Sequence, residues 1–272
     1  MRTDILQSSI AVPGARLRYF VQGSGPLVLL LAGGHGDASK NEALATHLAD
    51  SSTVLTYDRR GLSGSTTDDP ARTLAVHAED ASRLLAAVGG GPARVYGTSI
   101  GGAIALTLTA MHPEQVGTVV VHEPALAALL PEPARAAATH DLLGVEEAYG
   151  RDGVDAALRS FADFAGIDPT DSEPDVELAP PGRQQLANLA YFVVHDLPLV
   201  RDHVPDLSGL RGTSARIVPA VGASSGHLWP AACARLLAER LGLAYETFPG
   251  GHNGYVFRPR ETAARLRQVL ES

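Results

Sequence analysis

Ser99 stands in Gly97-Thr98-Ser99-Ile100-Gly101-Gly102, between the strand-like run "ARVY" and the helix-like run "AIALTLTAMH". A strand that turns sharply into a helix pushes the side chain at the turn out of the backbone, and small neighbours make room for it. Gly-x-Ser-x-Gly in that setting predicts an exposed serine hydroxyl. A hydroxyl is a poor nucleophile until a base removes its proton. "FPGGHNGY" offers such a base: His252 follows the last strand-like run and is flanked by Gly250, Gly251 and Gly254. A serine with a histidine base attacks carbonyl carbon and carries the acyl group covalently.

These residues need a frame. Short apolar or alternating runs at 4–12, 15–22, 27–33, 53–58, 93–97, 116–122, 215–222 and 244–250 read as eight strands. "LVLLLAG" is apolar throughout, which suits a strand covered on both faces in a parallel sheet. Helical patterns separate most of these runs, at 41–50, 73–89, about 100–112, 230–242 and over the last residues. The alternation predicts a doubly wound α/β fold, with ligands bound beyond the carboxyl ends of the strands. Residues 124–212 break the pattern. They hold alanine-rich helical stretches and a proline- and acid-rich loop at 168–182, with no strong strand. We expect a core of residues 1–123 and 213–272 and a helical cap of residues 124–212.

Composition narrows the class. The 272 residues are 45% hydrophobic, enough for a large core. A net charge of −8 argues against a nucleic-acid partner, because phosphate binding needs a basic surface. Cys233 is the single cysteine and is expected to pack as a small apolar side chain. The first twenty residues lack the apolar core of a signal peptide, and no run reaches a membrane span. A soluble cytoplasmic protein without membrane contact is the expectation. The histidines have no paired spacing with carboxylates or cysteines, so no metal site is expected. "AGGHG" lacks the lysine and spacing of a phosphate-binding loop.

The serine turn, the late histidine, the strand pattern and the helical insertion together resemble the α/β-hydrolase superfamily. "TYDRRGLSGS" at 56–65 is similar to that family's Asp-x-Arg-Gly-x-Gly-x-Ser stretch, with Ser63 where the second glycine would stand. The resemblance implies an α/β-hydrolase fold, a mostly parallel eight-stranded sheet flanked by helices, with Asp58, Arg60 and Gly61 shaping a loop. It implies an oxyanion hole made by the Ile100 N–H and by Gly34, with Gly33 as the near alternative. Many members carry the triad aspartate after the strand matching 215–222. Here that loop, "VGASSGHLWP", has no carboxylate. "VVVHEP" offers Glu123 at the end of the preceding strand, as in lactonases that open the resorcylic lactone zearalenone. The catalytic set is then Ser99, His252 and Glu123, without a cofactor.

The implied activity is hydrolysis of a small-molecule ester or lactone, zearalenone-like macrolactones included. Alternatives are a thioesterase or cyclase, a C–C bond hydrolase, or a ligand receptor on the same fold. Gly33 and His35 are expected to border the pocket. Tyr191, Phe192 and Val193 are either cap core or the roof of that pocket, and Trp229 lines either pocket or core. His122 is expected to pack beneath its loop.

Overall fold

The computed structural model describes residues 4–89, 91–168, 170–177 and 179–271. Pro169 and Leu178, two positions of the expected 168–182 loop, lie outside the described residues. The chain opens with a hairpin of β1 (Leu6–Val12) and β2 (Ala15–Gln22). There follow β3 (Leu27–Leu31), α1 (Glu42–Leu48), β4 (Thr53–Tyr57), β5 (Thr66–Thr67), α2 (Leu74–Val88), β6 (Ala93–Thr98), α3 (Ile100–Met111) and β7 (Val116–His122). Then come α4 (Ala134–Asp152), α5 (Val154–Phe164), α6 (Arg183–Tyr191), a π-helical turn (Phe192–Asp196), α7 (Leu197–Asp202) and α8 (Leu207–Gly212). The chain closes with β8 (Arg216–Gly222), α9 (Trp229–Leu241), β9 (Glu246–Phe248), α10 (Gly254–Phe257) and α11 (Pro259–Glu271).

Among the described residues the sheet has nine strands, in the order β1-β2-β4-β3-β6-β7-β8-β9 with β5 paired to β2. This corrects the expected eight. The addition, β5, is a two-residue strand inside the loop after β4, too short to leave a period. Pairing is parallel from β4 through β9 and antiparallel among β1, β2, β4 and β5. The last strand is shorter than the run that announced it, three residues rather than seven.

Both faces of the sheet are covered, and the period of two sorts the residues between them. Leu29, Leu31, Val95, Val119 and Val121 point to the side of α2 and α3, where they join Ala81, Leu84, Ile104 and Leu108. Val28, Leu30, Tyr96, Val120 and Val218 point to the side of α1 and α11, against Leu44, Leu48, Leu266 and Val269. That is why β3 reads as a continuous apolar run: all five residues are buried. Between β7 and β8 the described residues form helices and loops only. Among the described residues, no helix is long and apolar enough to cross a membrane.

The start of α3 lies very close to β3. A Cβ on Gly101 would stand 2.2 Å from the Leu31 carbonyl oxygen and 2.7 Å from that of Ala32. Both atoms are backbone, so nothing can swing away. Gly101→Ala is expected to destabilise the protein by about 2 kcal/mol or more, in the range of forced overpacking. Thermal denaturation read by circular dichroism checks this; an unchanged Tm would mean that α3 can lift off the sheet freely.

Candidate active site

Ser99 forms the corner between β6 and α3. Its backbone sits at φ 57 and ψ −122, a conformation L-residues rarely adopt. The surroundings over-determine it. The Ser99 N–H donates to the His122 carbonyl (3.1 Å), and its own carbonyl accepts from Ala103 (3.1 Å) and Ala125 (3.2 Å). A Cβ on Gly97 would lie 2.3 Å from the Gly101 carbonyl oxygen, so only glycine lets the corner close. Gly33 flanks the serine: its own Cβ position is 3.2 Å from Ser99 Cβ.

Glu123 follows β7 directly, with φ at 46. Its N–H donates to the Ala220 carbonyl at 3.0 Å, so β8 fixes the turn. The side chain is fully buried, and both carboxylate oxygens are engaged. Oε1 accepts the Gly222 N–H at 2.7 Å, and Oε2 lies 2.8 Å from His252 Nδ1. Burial works to raise the pKa of this carboxyl. The hydrogen bond from His252 and the nearby imidazoles outweigh it and hold the value at about 2. An ionised carboxylate only accepts, so Nδ1 carries the hydrogen and Nε2 the lone pair. His252 lies in the loop between β9 and α10 and is itself buried.

Two N–H groups stand nearby with no acceptor among the described residues. Ile100 is the first residue of α3, where helical N–H groups have no intrahelical partner. In the loop after β3, the Gly33 N–H donates to Tyr255 Oη at 3.3 Å, whereas the Gly34 N–H meets no acceptor among the described residues. Gly34 is at φ 39, and the ring of Phe161 from α5 occupies the place of its missing Cβ. Ser99, Ile100, Gly33, Gly34, Glu123 and His252 thus gather beyond the carboxyl ends of β3, β6, β7 and β9.

A family model described as alpha/beta hydrolase fold matches residues 26–209. The chain belongs to the α/β-hydrolase fold family. It is 35% identical over 273 residues to the uncharacterized hydrolase YraK of Bacillus subtilis, covering 98% of this chain and 97% of that one. It is 33% identical to the lipase LipV of Mycobacterium tuberculosis, over 69% of this chain and 72% of the relative. The solved esterase of Exiguobacterium antarcticum superposes with a TM-score of 0.77 at 18% identity, over 98% of this chain and all of the other, and shows the shared fold.

The α/β-hydrolase stretch at 56–65 behaves as a brace. Asp58 accepts from the Ala38 N–H (3.0 Å) and the Gly64 N–H (3.0 Å), joining the loops after β3 and β4. Arg60 forks onto Asp80 at 3.0 and 2.8 Å in the core. Ser63, where the family pattern has glycine, takes φ 48. Its hydroxyl donates to Asp37, and Asn188 of α6 donates to it at 2.9 Å. Those contacts hold a conformation glycine would adopt without strain.

The remaining candidates separate. His35 is half-buried, edge-on to Phe161 at 5.5 Å, and burial lowers its pKa to about 4. Phe192 is buried against Phe161 at 5.7 Å, in the same apolar core as β3 and α3. Tyr191 meets His195 with the rings tilted at 45° and lies on Gly61, whose missing Cβ its ring displaces. It therefore packs on the loop after β4. Trp229 lines a recess of about 690 Å³ with Ala138, Asp141, Ser160, Asp163 and Leu228; neither Ser99 nor His252 lines it. His122 is core, between Tyr96 (6.3 Å) and Phe248 (5.9 Å), and burial lowers its pKa to about 4. Cys233 is buried, donates to the Leu126 carbonyl at 3.3 Å, and burial pushes its thiol up to about 12.

Sequence reasoning passed over Arg59, His77 and Phe161. Arg59 hid beside Arg60 in the brace motif. Asp196 closes the apolar stretch "YFVVHD", and a lone acid there was the one available signal.

Proposed function

We propose that the chain is a serine hydrolase that cleaves a carboxylic ester or lactone through an acyl-enzyme. The observation that carries this reading is the buried Glu123–His252 pair at 2.8 Å beside the strained Ser99 corner. His252 Nε2 takes the Ser99 proton as Oγ bonds to the carbonyl carbon. The Gly34 and Ile100 N–H groups stabilise the anionic oxygen of the tetrahedral intermediate. The intermediate collapses, the bond to the leaving oxygen breaks, and His252 returns the proton to that oxygen. Water then attacks the acyl carbon with its proton passing to His252, the acyl–Oγ bond breaks, and His252 returns the proton to Ser99 Oγ. The products are an acid, an alcohol and free Ser99. Glu123 fixes the tautomer of His252 and offsets the charge of its imidazolium. For a lactone, acid and alcohol leave as one molecule.

Its similarity to a relative named as a lipase supports an oxygen ester over an amide. The test is a hydrolysis panel of p-nitrophenyl esters, macrolactones and acyl-thioesters, with intact-mass spectra after treatment with a p-nitrophenyl alkylphosphonate, which loses p-nitrophenolate when Ser99 Oγ bonds to phosphorus. Multiple turnovers on esters or lactones and one phosphonate adduct on Ser99 are expected. Preference for thioesters would move the substrate class to acyl carriers. Binding without turnover, or labelling elsewhere, would overturn the reading.

A further inference from the structure

Three successive peptide groups of the loop after β3 are pinned by hydrogen bonds. The Ala32 carbonyl accepts from Arg59 Nη1 at 3.0 Å, while the N–H of that peptide, on Gly33, donates to Tyr255 Oη. The Gly33 carbonyl accepts from the Gly36 N–H at 2.8 Å. In a trans peptide the N–H points opposite to the carbonyl, so the Gly34 N–H faces away from that turn. The Gly34 carbonyl accepts from Arg59 Nη2, and the Gly36 carbonyl from Arg59 Nη1 at 3.3 Å. One guanidinium thus collects three carbonyls and fixes the peptides on both sides of the one that carries the Gly34 N–H.

Arg59 is 2% exposed, and a buried cation needs a counter-charge. It has Asp196, fully buried, with Oδ2 3.3 Å from Nη2. The other oxygen of Asp196 meets His77 Nε2 at 3.2 Å. Asp196 comes from the segment between β7 and β8, at the end of the π-helical turn. An extra residue in a helical turn re-aims the side chains after it, and such turns recur at functional sites. The same segment also supplies Phe161, whose ring sits against Gly34.

We propose that Arg59 and Asp196 are positioning residues for the oxyanion hole. The helical segment over the sheet edge, through the Asp196–Arg59 ion pair, holds the loop so that the Gly34 N–H aims at the developing oxyanion. This rests on the acyl-transfer reading above. The segment is then part of the catalytic geometry as well as a wall of the pocket, and only its seated position gives a competent loop.

Arg59→Lys separates the two functions of the guanidinium. Lysine keeps a cation beside Asp196 but cannot span three carbonyls. The variant is expected to lose roughly 10²-fold in kcat on p-nitrophenyl butyrate, the scale of one lost or misplaced oxyanion donor. KM should stay within about threefold of wild type, since ground-state binding is untouched. The affinity for an alkylboronic acid, which forms an anionic tetrahedral adduct on Ser99, should fall with kcat. Asp196→Asn should act in the same direction with a lower Tm, because it leaves Arg59 buried without its counter-charge. If that variant does not fold, Arg59→Lys decides alone. Wild-type kcat and boronate affinity in folded Arg59→Lys, or a loss explained by fewer titratable sites, overturns the proposal. Phosphonate labelling of Ser99 in the wild type keeps the outcomes apart. Without labelling the acyl-transfer reading falls and this one with it; with labelling and unchanged variants, this one falls alone.

Discussion

Ser99→Ala is expected to lower kcat on the best ester by roughly 10⁶-fold, the loss seen when the nucleophile of a serine hydrolase is removed. The alanine retains the Cβ and the backbone angles of the corner, so the fold and KM should hold. Ser99→Gly should be equally inactive, and more stable than wild type by about 1 kcal/mol. Glycine adopts the φ of 57 without strain, and this gain exceeds its larger entropy loss on folding. Steady-state kinetics and thermal melts of the two variants check both halves. Retained turnover in either variant would remove Ser99 from the mechanism. A less stable glycine variant would show that the corner is unstrained.

Glu123→Gln is expected to cost about 10⁴-fold in kcat, as for loss of the acid in a well-studied protease. Shape is not the reason. Gly222 presents an N–H to one side-chain position of Glu123, so the glutamine oxygen will stay there. The amide NH₂ must then face His252 Nδ1, which can only accept. The imidazole hydrogen is forced onto Nε2, and the base has no lone pair for Ser99. The same variant has a signature in acid. With its pKa depressed to about 2, Glu123 adds stability that is fully present above the ordinary carboxylate value of about 4.3. That stability is lost as the pH falls through about 2. Urea denaturation across this window should show the wild type weakening, and Glu123→Gln weakening less. Parallel curves would place the acid-sensitive group elsewhere. Near-full activity in the glutamine variant would mean that another group orients His252.

Much of the frame was legible because burial on both faces leaves a mark in one dimension. The five apolar residues of β3 and the alternation in β2 could hardly read otherwise. The two residues of β5 left none. Glu123 was legible by vacancy: the loop after β8 held no carboxylate, and the neighbouring strand end did. The Arg59–Asp196 pair was not legible. Its members are 137 positions apart, and periodicity says nothing about which charge meets which in the interior. The sequence placed Tyr191 and Phe192 side by side, as cap core or pocket roof. It could not say that one ring would lie on Gly61 and the other against Phe161.

The loop from Ala223 to Leu228 meets Glu123 through a backbone N–H at its root, that of Gly222. Its side chains are free of the duty that a resident acid would impose. His227 and Leu228, with Trp229 at the head of α9, face the recess under α4 and α5. Substitution at these three positions can reshape the recess while the Glu123–His252 contact stays intact. A library randomised at these three codons should therefore retain a high fraction of clones that still turn over the best ester.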